Sequence, residues 1–159
     1  MTPPAVDERQ LREDYAMLEA AKAQLEGLAK QQQLIQMAVE EHVRARETVK
    51  QLAAGKPGDE MLVPVGADSY IYAKMSEDRN AVIGVGSGVS VKKSPEEAEK
   101  ILDAKIDDLS RAFKSISDKA TQTEAMIQEL SEKVQSQIET LVNGRGRRAL
   151  RSAHVPWTY

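Results

Sequence analysis

The 159-residue chain contains no cysteine and only one Phe and one Trp, and aromatic residues make up 4% of it. Without thiols there are no disulfides and no thiolate metal sites, which fits a reducing compartment. With so few large rings there is little to fill the centre of a compact globule of this length, whereas long helices with narrow apolar seams need fewer. No stretch has the length and apolarity of a membrane span, and the first residues lack the charged segment and apolar run of a secretory signal. A cytoplasmic protein without a membrane partner is the expectation. The sequence also lacks a G-x-x-x-x-G-K-[ST] run, and Gly84, Gly86 and Gly88 are neither spaced as G-x-G-x-x-G nor followed by a helix start, so they read as turn glycines. No nucleotide or other cofactor is expected.

Charge is abundant but uneven. Charged residues make up 30% of the chain and the net charge is −3. Four arginines (Arg145, Arg147, Arg148, Arg151) and no acid lie between Asn143 and Tyr159, which leaves −7 on the rest. An acidic body does not suit nucleic acid, and four arginines make a weak, salt-sensitive anchor. The segment 143–159 is read as a disordered basic tail. An appendage that helps hold acidic or unfolded partners and a nucleic-acid contact are the alternatives.

Three segments precede it. The first, 7–54, opens on Asp7 with Gln10 three residues on, the pattern of a capping box, and ends before Gly55 and Pro57. Steps of three and four residues trace a seam through Leu18, Ala21, Leu25, Leu28, Gln32, Ile35, Val39, His42, Arg46, Val49 and Ala53, eight of the eleven apolar. Leu11 extends it backward and Tyr15 lies close to it. The third segment, 94–142, begins with Ser94, Pro95 and Glu97 as N-cap, first helical residue and capping-box partner. Its seam is Leu102, Ile106, Leu109, Phe113, Ile116, Ala120, Thr123, Ile127, Leu130, Val134, Gln137 and Leu141, ten of the twelve apolar, with Asn143-Gly144 as a stop. Neither helix, roughly 70 Å long at 1.5 Å per residue, hides its seam alone. The expected fold is mainly α, a long antiparallel coiled-coil hairpin with a small β insertion of two hairpins at the bend.

That insertion, 60–93, is rich in glycine and β-branched residues. Strands are expected at 61–65, 69–75, 81–86 and 89–92, with no internal repeat beyond the heptads. Four short strands with open edges are unstable by themselves, so the segment is expected to be an oligomerisation element. Leu62, Val63, Val65, Tyr70, Ile71, Ile83, Val85, Val89 and Val91 are its candidate subunit interface. No nucleophile–base pair or metal cluster stands out. His42 reads as a tolerated polar seam residue, and Asp103, Asp107 and Asp108 as mostly solvated helix faces. An enzyme is not expected.

The stretch from Leu62 to Tyr70 resembles the first hairpin of prefoldin alpha-class subunits, and that from Val82 to Lys93 resembles the second. The helix start at Glu97-Ala98 and the flanking heptads fit, so the resemblance covers about 11–141. Two hairpins match the alpha class; beta-class subunits have one. The resemblance implies an ATP-independent chaperone subunit, a holdase, in a heterohexamer of two alpha-class and four beta-class subunits. It also implies that unfolded clients are held at the coiled-coil tips and passed to a group II chaperonin. Carried onto this chain by position, the client-binding residues are Leu11, Tyr15, Leu18, Leu130, Val134, Ile138, Leu141 and Val142. The tail after Gly144 departs from the family pattern. A coiled-coil adaptor or scaffold that assembles through its insert and binds folded partners is the competing reading.

Overall fold

In a computed structural model, residues 7–152 are described, with side chains as far as Arg145. The order of elements is α1 (Glu8–Ala54), β1 (Glu60–Gly66), β2 (Ser69–Lys74), β3 (Ala81–Gly86), β4 (Val89–Lys93) and α2 (Pro95–Ser152). The class is mainly α, two long helices with two small antiparallel β-hairpins between them, as the patterning predicts. The chain divides into two compact units: Met1–Gln31 with Ile116–Tyr159, and Gln32–Ser115.

The helix starts differ in how well they are capped. At Ser94 the reciprocal box forms: Glu97 N–H donates to Ser94 Oγ at 3.2 Å, and Ser94 N–H donates to Glu97 Oε2 at 3.4 Å. The bond from Ser94, with Lys93 beside it, holds the Glu97 carboxyl below its ordinary range. At Asp7 only half of the expected box forms. Its carboxylate accepts from Arg9 N–H at 2.9 Å, while Gln10 turns away and donates to Asp14 at 3.1 Å. The predicted stop at Asn143-Gly144 is overturned, because α2 continues to Ser152. A glycine costs a helix about 1 kcal/mol but ends it only with a left-handed residue or a following proline. Here neither follows, and Arg147, Arg148, Ala149 and Leu150 favour helix. The first six residues of the tail reading that lie beyond Ser152, from Ala153 on, and the last, Tyr159, fall outside the described residues.

All twenty-three predicted seam positions are buried or half-buried. In the first unit the paired helix segments run antiparallel, since Glu8 meets Arg145 at 3.2 Å and Asp14 meets Lys133 at 2.9 Å. Leu18, Ala21, Leu28, Ala120, Leu130 and Val134 form its buried seam. In the second unit the same pairing is marked by Arg46 and Asp103 at 3.0 Å. Val49, Ala98 and Leu102 form a small core there, against which Ala45, Ala81 and Ile83 pack. His42 at its seam position lies 2.7 Å from the Ala38 carbonyl, so Nδ1 is the donor and is satisfied by its own helix.

The strands form two separate two-stranded sheets, β1–β2 and β3–β4. Val63 faces Ile71 in one and Ile83 faces Val91 in the other. Each register slips before its turn, at Val65 and at Val85, and each turn has two left-handed residues: Ala67 and Asp68, then Ser87 and Gly88. These are tight hairpin turns that suit the twist of paired strands. The hairpins are thus one design repeated at an offset of twenty residues, contrary to the expectation of no repeat. Residue types hide it: what recurs is the bulge, the positive-φ Gly66 or Gly86, and the turn.

Gly27 lies within α1, and a Cβ added there meets nothing within 4 Å. Gly27→Ala is therefore expected to stabilise the chain by about 1 kcal/mol, seen as a higher urea midpoint with an unchanged slope.

Candidate functional site

Two surfaces hold apolar side chains that the chain leaves without full cover. The first is the terminal end of the first unit, where the start of α1 meets the last turns of α2. Leu11, Ile138, Leu141 and Val142 line a groove of about 380 Å³, rimmed by Glu8, Arg12 and Arg145. Val142 is 63% exposed, although it lies on a helix whose other face is well buried. The groove can accept an apolar segment without reading its sequence, and the mixed charges at its rim do not select one sign.

Of the eight client-binding candidates, the structure brings Leu11, Ile138, Leu141 and Val142 together in this groove. Leu18, Leu130 and Val134 are instead buried in the seam between the helices. Tyr15 is 53% exposed and does not line the groove. The seam position that the sequence reading passed over is Asp14, only 2% exposed. Stepping back four residues from Leu18 lands on it, so the heptad spacing itself was the signal. Apolar character alone points to Tyr15 beside it.

Asp14 is fully engaged. Oδ1 accepts from Lys133 Nζ at 2.9 Å and from Gln10 Nε2 at 3.1 Å, and Oδ2 accepts from Gln137 Nε2 at 2.8 Å. The bonds from Lys133 and Gln137 hold the carboxyl below its ordinary range against the opposing effect of burial. A depressed carboxyl stabilises the folded chain above the ordinary carboxylate pKa, and that stabilisation is lost as pH falls through the lower folded value. Between about pH 5 and pH 3, the melting temperature of the natural chain is expected to fall more steeply than that of Asp14→Asn. Circular dichroism at a series of pH values checks this, and parallel curves refute it.

The second surface is the β insert. Of the nine interface candidates, Leu62, Val65, Tyr70, Ile71, Val85 and Val89 stand exposed. Val63, Ile83 and Val91 are half-buried; Ile83 packs on the chain's own Val49–Ala98–Leu102 core. The largest exposures belong to two residues outside the predicted set, Tyr72 at 81% and Val82 at 70%. They belong to equivalent cross-strand pairs but to opposite strands of them: Leu62 pairs with Tyr72 on the face opposite Val63, and Val82 pairs with Lys92 on the face opposite Ile83. A concavity of about 800 Å³ opens between the first hairpin and the end of α1, lined in part by Met61, Leu62, Tyr70, Tyr72 and Met75. Among the described residues no group of three His, Asp or Glu side chains is placed to hold a metal ion, and no helix is long and apolar enough to cross a membrane.

Paired long helices carrying two short hairpins, with apolar surface at the helix ends and on the hairpins, define the class of an assembling coiled-coil subunit. The prefoldin subunit family model matches residues 21–140. The chain is 36% identical over 113 residues to prefoldin subunit alpha of Methanothrix thermoacetophila, covering 71% of this chain and 74% of that one. It is 33% identical over 125 residues to prefoldin subunit alpha of Pyrococcus horikoshii, covering 77% and 81%. A filamentous PFD from Methanocaldococcus jannaschii, solved by cryo-electron microscopy, superposes with a TM-score of 0.59 at 25% identity over 72% of this chain and 95% of that one. The chain belongs to the prefoldin family, whose members are chaperone subunits that assemble with other prefoldin subunits, beta-type ones included. The matched span takes in the whole insert and most of both helices, and leaves Leu11, Leu141 and Val142 outside it.

An assembly prediction follows from the exposed valines. Val65→Asp or Val85→Asp places a carboxylate on the bulge of a hairpin, where burial against a second subunit is strongly unfavourable. Each variant is expected to elute as a smaller species while keeping its helical circular dichroism. An unchanged oligomer from both variants counts against this interface.

Proposed function

We propose that the chain is the alpha-class subunit of an ATP-independent holdase, assembled as two alpha-class with four beta-class subunits through its β insert. Unfolded clients are held at the terminal end of its helices and passed to a group II chaperonin in the cytoplasm. Neither a cofactor nor catalysis enters this reading. The observation that carries it is the groove of Leu11, Ile138, Leu141 and Val142, apolar surface left open at the terminal end of the helices. Each such groove binds weakly. Several on one assembly act together through effective concentration, so a client is retained without nucleotide and leaves when a partner competes or when it folds.

The test is aggregation of a denatured client diluted into buffer without ATP. The chain assembled with a beta-class subunit is expected to suppress aggregation, and the double variant Ile138→Asp/Val142→Asp to lose most of that suppression while keeping its oligomeric size. Equal aggregation with and without the assembly contradicts the reading.

One observation favours the adaptor reading. Leu34 and Met37 stand exposed on α1 in the second unit, beside Ala38, Glu40, Glu41 and Arg44. If the chain is an adaptor for a folded partner, Leu34→Ser/Met37→Ser abolishes binding and the groove variant leaves it intact.

A further inference from the structure

Asp14 occupies a position where the heptad calls for an apolar residue, and the terminal end of the first unit is organised around it. On one side of it along the seam lie the buried Leu18, Leu130 and Val134, and on the other the open groove of Leu11, Ile138, Leu141 and Val142. Its donors span the two helices: Gln10 from α1, with Lys133 and Gln137 from α2. The layer is also incomplete, because Gln137 Oε1 is buried and has no donor.

A leucine pair at such a layer holds two helices together at least as well as a buried ionic layer, so stability does not explain the polar choice. What a polar layer changes is the opposite process. When the helices part, an apolar layer exposes hydrocarbon to water, whereas the buried carboxylate recovers its hydration, the orphaned Gln137 oxygen gains a partner, and the Lys133 ammonium is half-exposed already. Parting is thus made easier at this one layer, next to the groove.

We propose that the Asp14–Lys133–Gln137 layer is a gate: closed, it joins the ends of α1 and α2; open, it turns Leu18, Leu130 and Val134 from seam into client-holding surface. The proposal rests on the client-holding reading of this end. It assigns the three buried candidates a role they do not have in the closed chain, and it names the occupant, an apolar segment of an unfolded polypeptide. Such a segment favours the open state because it covers the seam residues that opening exposes.

The absence of native cysteine makes the test clean. Val134→Cys in the full chain, assembled with a beta-class subunit, is labelled by a maleimide at a rate that follows opening. Val49→Cys, buried in the second unit, is the control. Asp14→Asn is expected to raise labelling at position 134 about tenfold, the scale of a lost charged hydrogen bond, and to leave position 49 unchanged. Asp14→Leu/Gln137→Leu, which replaces the layer with hydrocarbon, is expected to slow labelling at 134 severalfold below the natural layer and to weaken suppression of client aggregation.

Labelling at 134 that ignores both substitutions overturns the gate. So does equal acceleration at 134 and 49, which marks Asp14 as a general stability residue. If the natural assembly suppresses aggregation and the leucine variant labels slowly yet suppresses equally well, the gate is not used for clients and the proposal fails. Failure of the natural assembly to suppress any aggregation refutes the holding function itself, and the labelling rates still report the gate.

Discussion

A helix with an apolar stripe a few residues wide is unstable in water until another surface covers the stripe. That constraint organises this chain. The seam from Leu18 to Ala53 and the seam from Leu102 to Leu141 are each other's cover, and every predicted position in them is at least half-buried. The cover gives out at Leu34 and Met37 on α1, and more extensively in two other places. At the helix ends, Ile138 and Val142 stand exposed around the groove. On the hairpins, Tyr72 and Val82 point away from the chain's own small core. The chain belongs to a family of assembling chaperone subunits, and the proposed function uses the hairpins for joining subunits and the helix ends for clients.

The polar residues within the seam show where simple burial is set aside. Arg46 reaches Asp103 across the helices, and His42 bonds back to the Ala38 carbonyl. Both sit at seam positions without lining an open surface. Asp14 differs because its layer borders the groove; a buried polar atom without a partner it has in common with Arg46, whose Nε is also unanswered. An ionic layer in the interior of a long pairing fixes register. One beside an end governs how easily that end comes apart. Client holding needs apolar surface that is sheltered when unoccupied and available when required, and a layer of this kind provides both.

Much of this was legible in the residues. Apolar spacing located both seams, and Ser94-Pro95-Glu96-Glu97 located the start of α2 because its cap is local chemistry. Strand limits came within a residue or so, since β-branched runs end at glycine turns. What was missed has physical causes. Asn143-Gly144 looked like a stop, but a glycine ends a helix only if the backbone turns left-handed there, which residue type alone does not decide. Asp14 falls on the heptad spacing, but its charge masks it, because the partners that allow its burial, Lys133 and Gln137, lie more than a hundred residues away in sequence. The twenty-residue repeat of the hairpins lies in register and turn geometry, and side-chain identity barely records it. Leu18, Leu130 and Val134, expected at the client-binding tip, lie on the inner face of the helix pairing.

The proposed function divides the groove and the hairpins between clients and subunits. Amide hydrogen exchange of the assembled complex, with and without a bound unfolded client, tests it directly. New protection is predicted over 8–18 and 130–142, with the strands at 60–93 already protected by assembly and unchanged by the client. Protection centred on the strands, or on α1 around Leu34 and Met37, contradicts that division.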